Sequence, residues 1–185
     1  MARRLLIVPI LHTEDELGSE GDAYRDGFIA QHGEERWRER DRALREYWVA
    51  VRAAMSKLPI PYERVKVYQD SLPNGQGIDR LIDDMAADGS PNHELLQLLR
   101  SRGATIVGTE ALHLLLEEYM AIKEHRATPE FLRHSLDARD HAIARRIEET
   151  LYDGEIGILF IGAAHDVARH CDSAIEIGVF SSESF

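Results

Sequence analysis

Gly154-Glu155-Ile156-Gly157-Ile158-Leu159-Phe160-Ile161-Gly162-Ala163-Ala164-His165 is the stretch that decides the fold. The unbroken apolar run 156–161 keeps no polar side for solvent, so it reads as a strand buried on both faces, as in parallel sheets. Gly162 stops the run, and the small pair Ala163-Ala164 delivers His165 to the strand's carboxyl end. In open α/β sheets ligands bind in the crevice outside those ends, which makes His165 a candidate site residue. The plainer alternative is a histidine that caps the next turn.

Other apolar runs end in the same manner. Residues 5–11 form a strand that closes on His12, with Glu14 just beyond. Pro9 within it cannot donate to a ladder and marks a bulge or an edge. Residues 64–68 form a second strand ending at Gln69-Asp70, and the alternation that puts Arg64 and Lys66 on one face places it near the sheet edge. Residues 104–107 run into Gly108-Thr109-Glu110, and a fifth strand, 174–180, carries no comparable end group. The long, largely helical segments between strands are right-handed crossovers, so the strands run parallel. His12, Asp70, Glu110 and His165 then meet at one edge of the sheet. Two imidazoles and two carboxylates in one crevice suit a divalent metal or shared acid/base work. Against this stands the ordinary use of each as a helix cap.

The composition describes one soluble α/β domain, 1–185. With 44% hydrophobic and 30% charged residues, the chain can bury a core without staples. A net charge of −11 argues against nucleic acid as a partner. The one basic concentration, 34–45, interleaves Glu35, Glu39 and Asp41 with Arg36, Arg38, Arg40 and Arg42, which is a solvated helix face with i,i+4 pairs. The lone Cys171 excludes an intramolecular disulfide and any multi-cysteine metal site, and by type it is an inert thiol. No run approaches the ~20 apolar residues of a membrane span, and the first apolar run is too short for a secretory signal. No membrane partner and a cytoplasmic location are therefore expected.

Periodicity supplies the helices. Residues 34–58 carry Trp37, Leu44, Trp48, Val51 and Met55 near a 3.6 repeat, ended by Pro59 and Pro61. Trp37 and Trp48 lie on one stripe that covers the sheet or, with Tyr47, meets a second copy of the chain. Shorter helices follow at 77–87 and 92–102, then an apolar helix at 111–126 through Leu112, Leu115, Leu116, Tyr119 and Ile122. Thr128-Pro129 opens a last long helix reaching towards Leu151. Segment 18–33 reads as a loop, a candidate lid over the crevice. On the last helix Leu136, Ile143, Ile147 and Leu151 make an apolar stripe, and Arg139 shares that face. An arginine there needs an anion or a carboxylate, or else it snorkels to solvent.

Taken in order, the strand ending in His12, the strand ending in Asp70, Gly108-Thr109-Glu110, Arg139-Asp140 and Gly162-Ala163-Ala164-His165 resemble the TraB/Tiki-like superfamily. That group includes pheromone-shutdown proteins and relatives of erythromycin esterase. Its marks are two Gly-x-x-His motifs, a glutamate after a strand and an arginine on a helix before the last motif. Two departures stand out: no glycine lies three residues before His12, and Gln69-Asp70 replaces the usual glutamate. The resemblance implies a parallel-sheet α/β fold and a metal-dependent hydrolase, peptidase-like in Tiki members, without naming a substrate.

The expected activity is thus hydrolysis of a small-molecule or peptide substrate. His12, Glu110 and His165 are the expected ligands of a divalent metal, zinc or manganese, or they orient a water directly. Asp70 or Glu14 is the expected general base or its support, and Arg139 holds an anionic substrate group or the developing oxyanion. The alternative of a different class is a noncatalytic module that binds or senses a small polar ligand in the same crevice.

Overall fold

Arg3–Ile10 (β1), Val65–Pro73 (β2), Thr105–Glu110 (β3), Ile156–Gly162 (β4) and Ile175–Val179 (β5) form one sheet. All neighbours pair in parallel, in the order β3-β2-β4-β1-β5. The helices are Gly21–His32 (α1), Glu34–Met55 (α2), Ile78–Ala87 (α3), Pro91–Ser101 (α4), Leu112–Lys123 (α5) and Pro129–Thr150 (α6). This computed structural model describes residues 2–11 and 21–181. It is the α/β fold with about five parallel strands flanked by helices that the sequence predicts.

The order follows from handedness. From β1 the chain moves to β2 and on to the β3 edge, with α2, α3 and α4 on one face, where Trp48, Val51, Met55, Ile82, Leu95, Leu96 and Leu99 pack on Val8, Val67, Ile158 and Phe160. It then reverses, and right-handed crossovers put the returning α6 on the other face, where Ile143, Ala144 and Ile147 meet Leu5, Tyr68 and Leu159. β4 slots between β1 and β2, creating a topological switch point at the carboxyl ends of those three strands.

Several elements depart from the sequence reading. β2 lies near the edge, as expected, but is not itself the edge strand: β3 covers it on one side and β4 on the other, and Lys66 meets Glu155 3.7 Å away. Its true extent is longer, running through a register shift between Gln69 and Pro73. Pro9 faces β5, whose pairing with β1 ends at Ile7, so no ladder bond is lost. The Pro9 carbonyl instead accepts from the Tyr47 hydroxyl at 2.6 Å. Much of the segment read as a loop is helix α1, because Tyr24 and Phe28 pack their rings on Trp37. Residues 18–20 of that candidate lid lie outside the described residues. α2 stops at Met55, three residues short of the proline boundary.

The two tryptophans are buried, Trp37 beneath α1 and Trp48 over the sheet, where its indole N–H donates to the Leu11 carbonyl at 3.0 Å. The apolar helix α5 behaves otherwise. It packs on α6 rather than on the sheet, so Leu112, Leu116, Tyr119 and Ile122 are exposed and only Ala121 is buried. No described helix is long and apolar enough to cross a membrane.

Candidate functional site

Arg139 organises the carboxyl ends of β2 and β3. Its place on the α6 stripe turns it inwards, 8% exposed, onto Glu110, the last residue of β3. Its Nη2 donates to Glu110 Oε1 at 2.7 Å and its Nε to Oε2 at 3.2 Å, a planar fork on a planar carboxylate. The same Nη2 donates to Asp70 Oδ1 at 3.1 Å, and Nη1 lies 3.6 Å from Glu118 Oε1 on α5. Three acidic side chains thus surround one guanidinium. Burial pushes the Glu110 carboxyl above its ordinary value, with Arg139 opposing and Asp70 reinforcing that shift. Burial works against the Arg139 charge, but Glu110, Asp70 and Glu118 outweigh it and raise its affinity for the proton.

Asp70 reaches this cluster because β2 is irregular there. Ser71 adopts φ 63°, the left-handed region that non-glycine residues seldom enter, and strain of this kind concentrates at functional sites. The Ser71 amide donates to Glu110 Oε1 at 3.4 Å and its hydroxyl to Asp70 Oδ1 at 3.3 Å. The kink brings Pro73 so close to β3 that a Cβ on Gly108 would sit 2.2 Å from the Pro73 carbonyl oxygen. Only glycine fits there.

His165 stands in the turn after β4, its amide donating to the Gly162 carbonyl at 3.1 Å. Its imidazole is nearly enclosed, with Nδ1 2.5 Å from Asp140 Oδ1 and Nε2 3.5 Å from Asp70 Oδ2. Asp140 Oδ2 also accepts from the Asp166 amide at 2.8 Å, so one carboxylate holds both the ring and the turn. Because a carboxylate only accepts, Nδ1 is the donor, and Nε2 presents its lone pair to Asp70 in the neutral imidazole. Asp70 Oδ2 accepts from the Gly162 amide at 3.1 Å, and a Cβ on Gly162 would press within 3.3 Å of that oxygen.

The structure therefore brings together Asp70, Glu110, Arg139 and His165 of the residues singled out in the sequence. His12 and Glu14 lie outside the described residues. Asp140, Glu118 and Ser71 are additions. Asp140 was legible in principle, since it sits four residues after Leu136 and three before Ile143. Glu118 was hidden on a helix whose apolar content pointed elsewhere, and Ser71 acquires its place from a bulge that leaves no mark in a hydrophobic pattern. Arg139, expected to need an anion or a carboxylate, is buried against two carboxylates of the protein, Glu110 and Asp70. Glu110 was expected to ligate a metal, and both its oxygens face Arg139.

For a divalent cation the donors left facing each other are His165 Nε2 and Asp70 Oδ2. Among the described residues no group of three His, Cys, Asp or Glu side chains forms a ready metal site. Cys171 takes no part. Burial raises its thiol to about 11 and its Sγ lies against the Val167 carbonyl, as expected of an inert cysteine. No protein-family model, curated protein or solved structure matches this chain.

Proposed function

We propose that this protein is a hydrolase whose site lies at the switch point, with the Asp140–His165 pair as its acid/base centre. The observation that carries the reading is the facing of His165 Nε2 and Asp70 Oδ2 across 3.5 Å. With Nδ1 committed to Asp140, the neutral ring and Asp70 face each other as two acceptors with no donor between them among the described residues, and a water or a substrate O–H or N–H satisfies both. Such a water gives a proton to Nε2 as its oxygen attacks a carbonyl carbon. The same proton then passes from Nε2 to the leaving group as the intermediate collapses. Asp140 holds the tautomer and stabilises the imidazolium, while Asp70 orients the water.

Arg139 acts here as a positioning residue, fixing Asp70 and Glu110 instead of meeting the substrate. A divalent zinc or manganese ion would use His165 Nε2 and Asp70 Oδ2 and would supply a bound water of lowered pKa. Kinship with the TraB/Tiki-like superfamily is part of this proposal and rests on Gly108-Thr109-Glu110, Arg139 and Gly162-Ala163-Ala164-His165.

A panel of ester, peptide and phosphate substrates, run with and without added zinc or manganese, tests the reading. His165→Ala and Asp140→Asn should each lower turnover by roughly 10²–10⁴-fold, the usual contribution of a positioned acid/base. Full turnover in both variants, or none in the wild type under any metal condition, refutes the hydrolase. Saturable ligand binding without turnover would instead make the crevice a sensor.

A further inference from the structure

The sheet face opposite Arg139 carries a second polar feature. Alternation along β2 sends Asp70 towards α6 and the preceding Gln69 towards α4. Gln69 is 3% exposed and Asn92, in the first turn of α4, is 1% exposed. Asn92 Nδ2 donates to Gln69 Oε1 at 3.0 Å, and Gln69 Nε2 donates to the backbone carbonyl of Asp70 at 3.2 Å. That carbonyl can only accept, which fixes the polarity of the whole relay. Gln69 must present its oxygen to Asn92, and Asn92 must answer with its NH2 group. Asn92 Oδ1 is left at the end, closed from bulk water and without a hydrogen-bond partner among the described residues. Buried oxygens are rarely left so.

Gln69 and Asn92 line a cavity of about 240 Å³ whose other walls include Ile10, Leu72, Leu81 and Met85. The geometry points to a binding subsite for a primary carboxamide on a short aliphatic stem, with its NH2 group donating to Asn92 Oδ1. The class follows from the chemistry of the walls. The orphan atom is an acceptor, so the occupant must donate. The stem lies against aliphatic side chains. The head group is neutral, since no described Lys or Arg lines the cavity, the His93 ring is held by the Ser90 hydroxyl at 2.8 Å, and the Asp70 carboxylate is turned towards Arg139. Oδ1 has almost no accessible surface, so the occupant reaches it by displacing a wall side chain, a movement that suits the unbranched, flexible Met85.

Asp70 joins the two sites. Its carbonyl anchors the amide relay and its carboxylate faces His165. The inference rests on the proposed hydrolase only in calling the carboxamide compound a substrate, and binding is separable from turnover.

Isobutyramide and isobutyrate, titrated into the full chain and followed by ligand-observed NMR, supply the test. Isobutyramide should bind saturably and isobutyrate at least roughly tenfold more weakly. Asn92→Leu should weaken isobutyramide by a similar factor. Leu81 is 38% exposed at the wall of the cavity, so Leu81→Trp, its fold checked by circular dichroism, should fill the opening and block the same binding. Absence of saturable isobutyramide binding overturns the subsite, as does equal binding of isobutyrate or undiminished binding to Leu81→Trp. Binding retained in His165→Ala supports a subsite independent of the acid/base pair. Turnover of the ester or peptide panel without isobutyramide binding overturns the subsite alone, and binding without turnover overturns the hydrolase alone.

Discussion

α2 and α6 are both 22 residues long and rich in arginine, yet they use it in opposite ways. On α2, Arg38 meets Glu34 and Arg45 meets Asp41 one turn away, all on a solvated face. On α6, Arg139 is turned inwards and meets Glu110 and Asp70, which lie 29 and 69 residues away in sequence. The α2 pairs are local and screened by water, so they belong to the helix rather than the fold. The Arg139 network exists only when α6, β2 and β3 are assembled, and its charges have no water to fall back on. The lesson is that the worth of an ion pair is set by what surrounds it.

The comparison is sharpened most by removing the buried fork. Arg139→Ala leaves Glu110 and Asp70 facing each other without a cation, and chemical denaturation should show a loss of about 3–5 kcal/mol. A loss below about 1 kcal/mol would mean that water enters the cluster freely and that the contrast with α2 is false. Arg139→Lys keeps the charge but lacks the fork. It should recover only part of that stability, and full recovery would show that geometry is unimportant here.

Next comes the pH dependence of Glu110. Its carboxyl is raised above the ordinary value of 4.5 chiefly by burial. The folded protein therefore holds a proton where the unfolded chain has lost it, and more bound protons in the native state make stability fall as pH rises. Between 4.5 and the raised value, stability should decline with a slope of up to about 1.4 kcal/mol per pH unit. Glu110→Gln should flatten that part of the profile in paired denaturation curves. An unchanged slope would assign the proton to another group.

The smallest effect is expected on α2. Arg38→Ala removes an exposed i,i+4 pair and should change stability by about 0.5 kcal/mol or less, vanishing in high salt. A loss comparable to Arg139→Lys would break the comparison from the other side.

α5 shows the limit of reading burial from composition. Its leucines repeat at helical spacing, as buried ones do, yet Leu116 is 52% exposed because α6 already occupies the sheet face beneath. Hydrophobic spacing tells which residues share a side and not whether anything covers that side. Arg139 is the converse: its spacing from Leu136 and Ile143 was enough to place a charged residue inside.

The sequence by itself determined the strands, their parallel course and most helix boundaries. These depend on local quantities: the length of apolar runs, the 3.6 and 2.0 periodicities, and proline and glycine punctuation. It also marked Asp70, Glu110, Arg139 and His165, because strand ends and an apolar stripe are visible in one dimension. Only the tertiary structure decided that β3, and not β2, is the edge strand, since Arg64 and Lys66 place β2 near an edge without saying what lies outside it. The same holds for which carboxylate meets which base. Asp140 and Asp70 grip His165 from two sides across 25 and 95 residues of chain, and such partners are fixed by strand order, the β2 kink and the face on which α6 returns. Those features arise from the handedness of crossovers and the packing of both faces, which no single segment encodes.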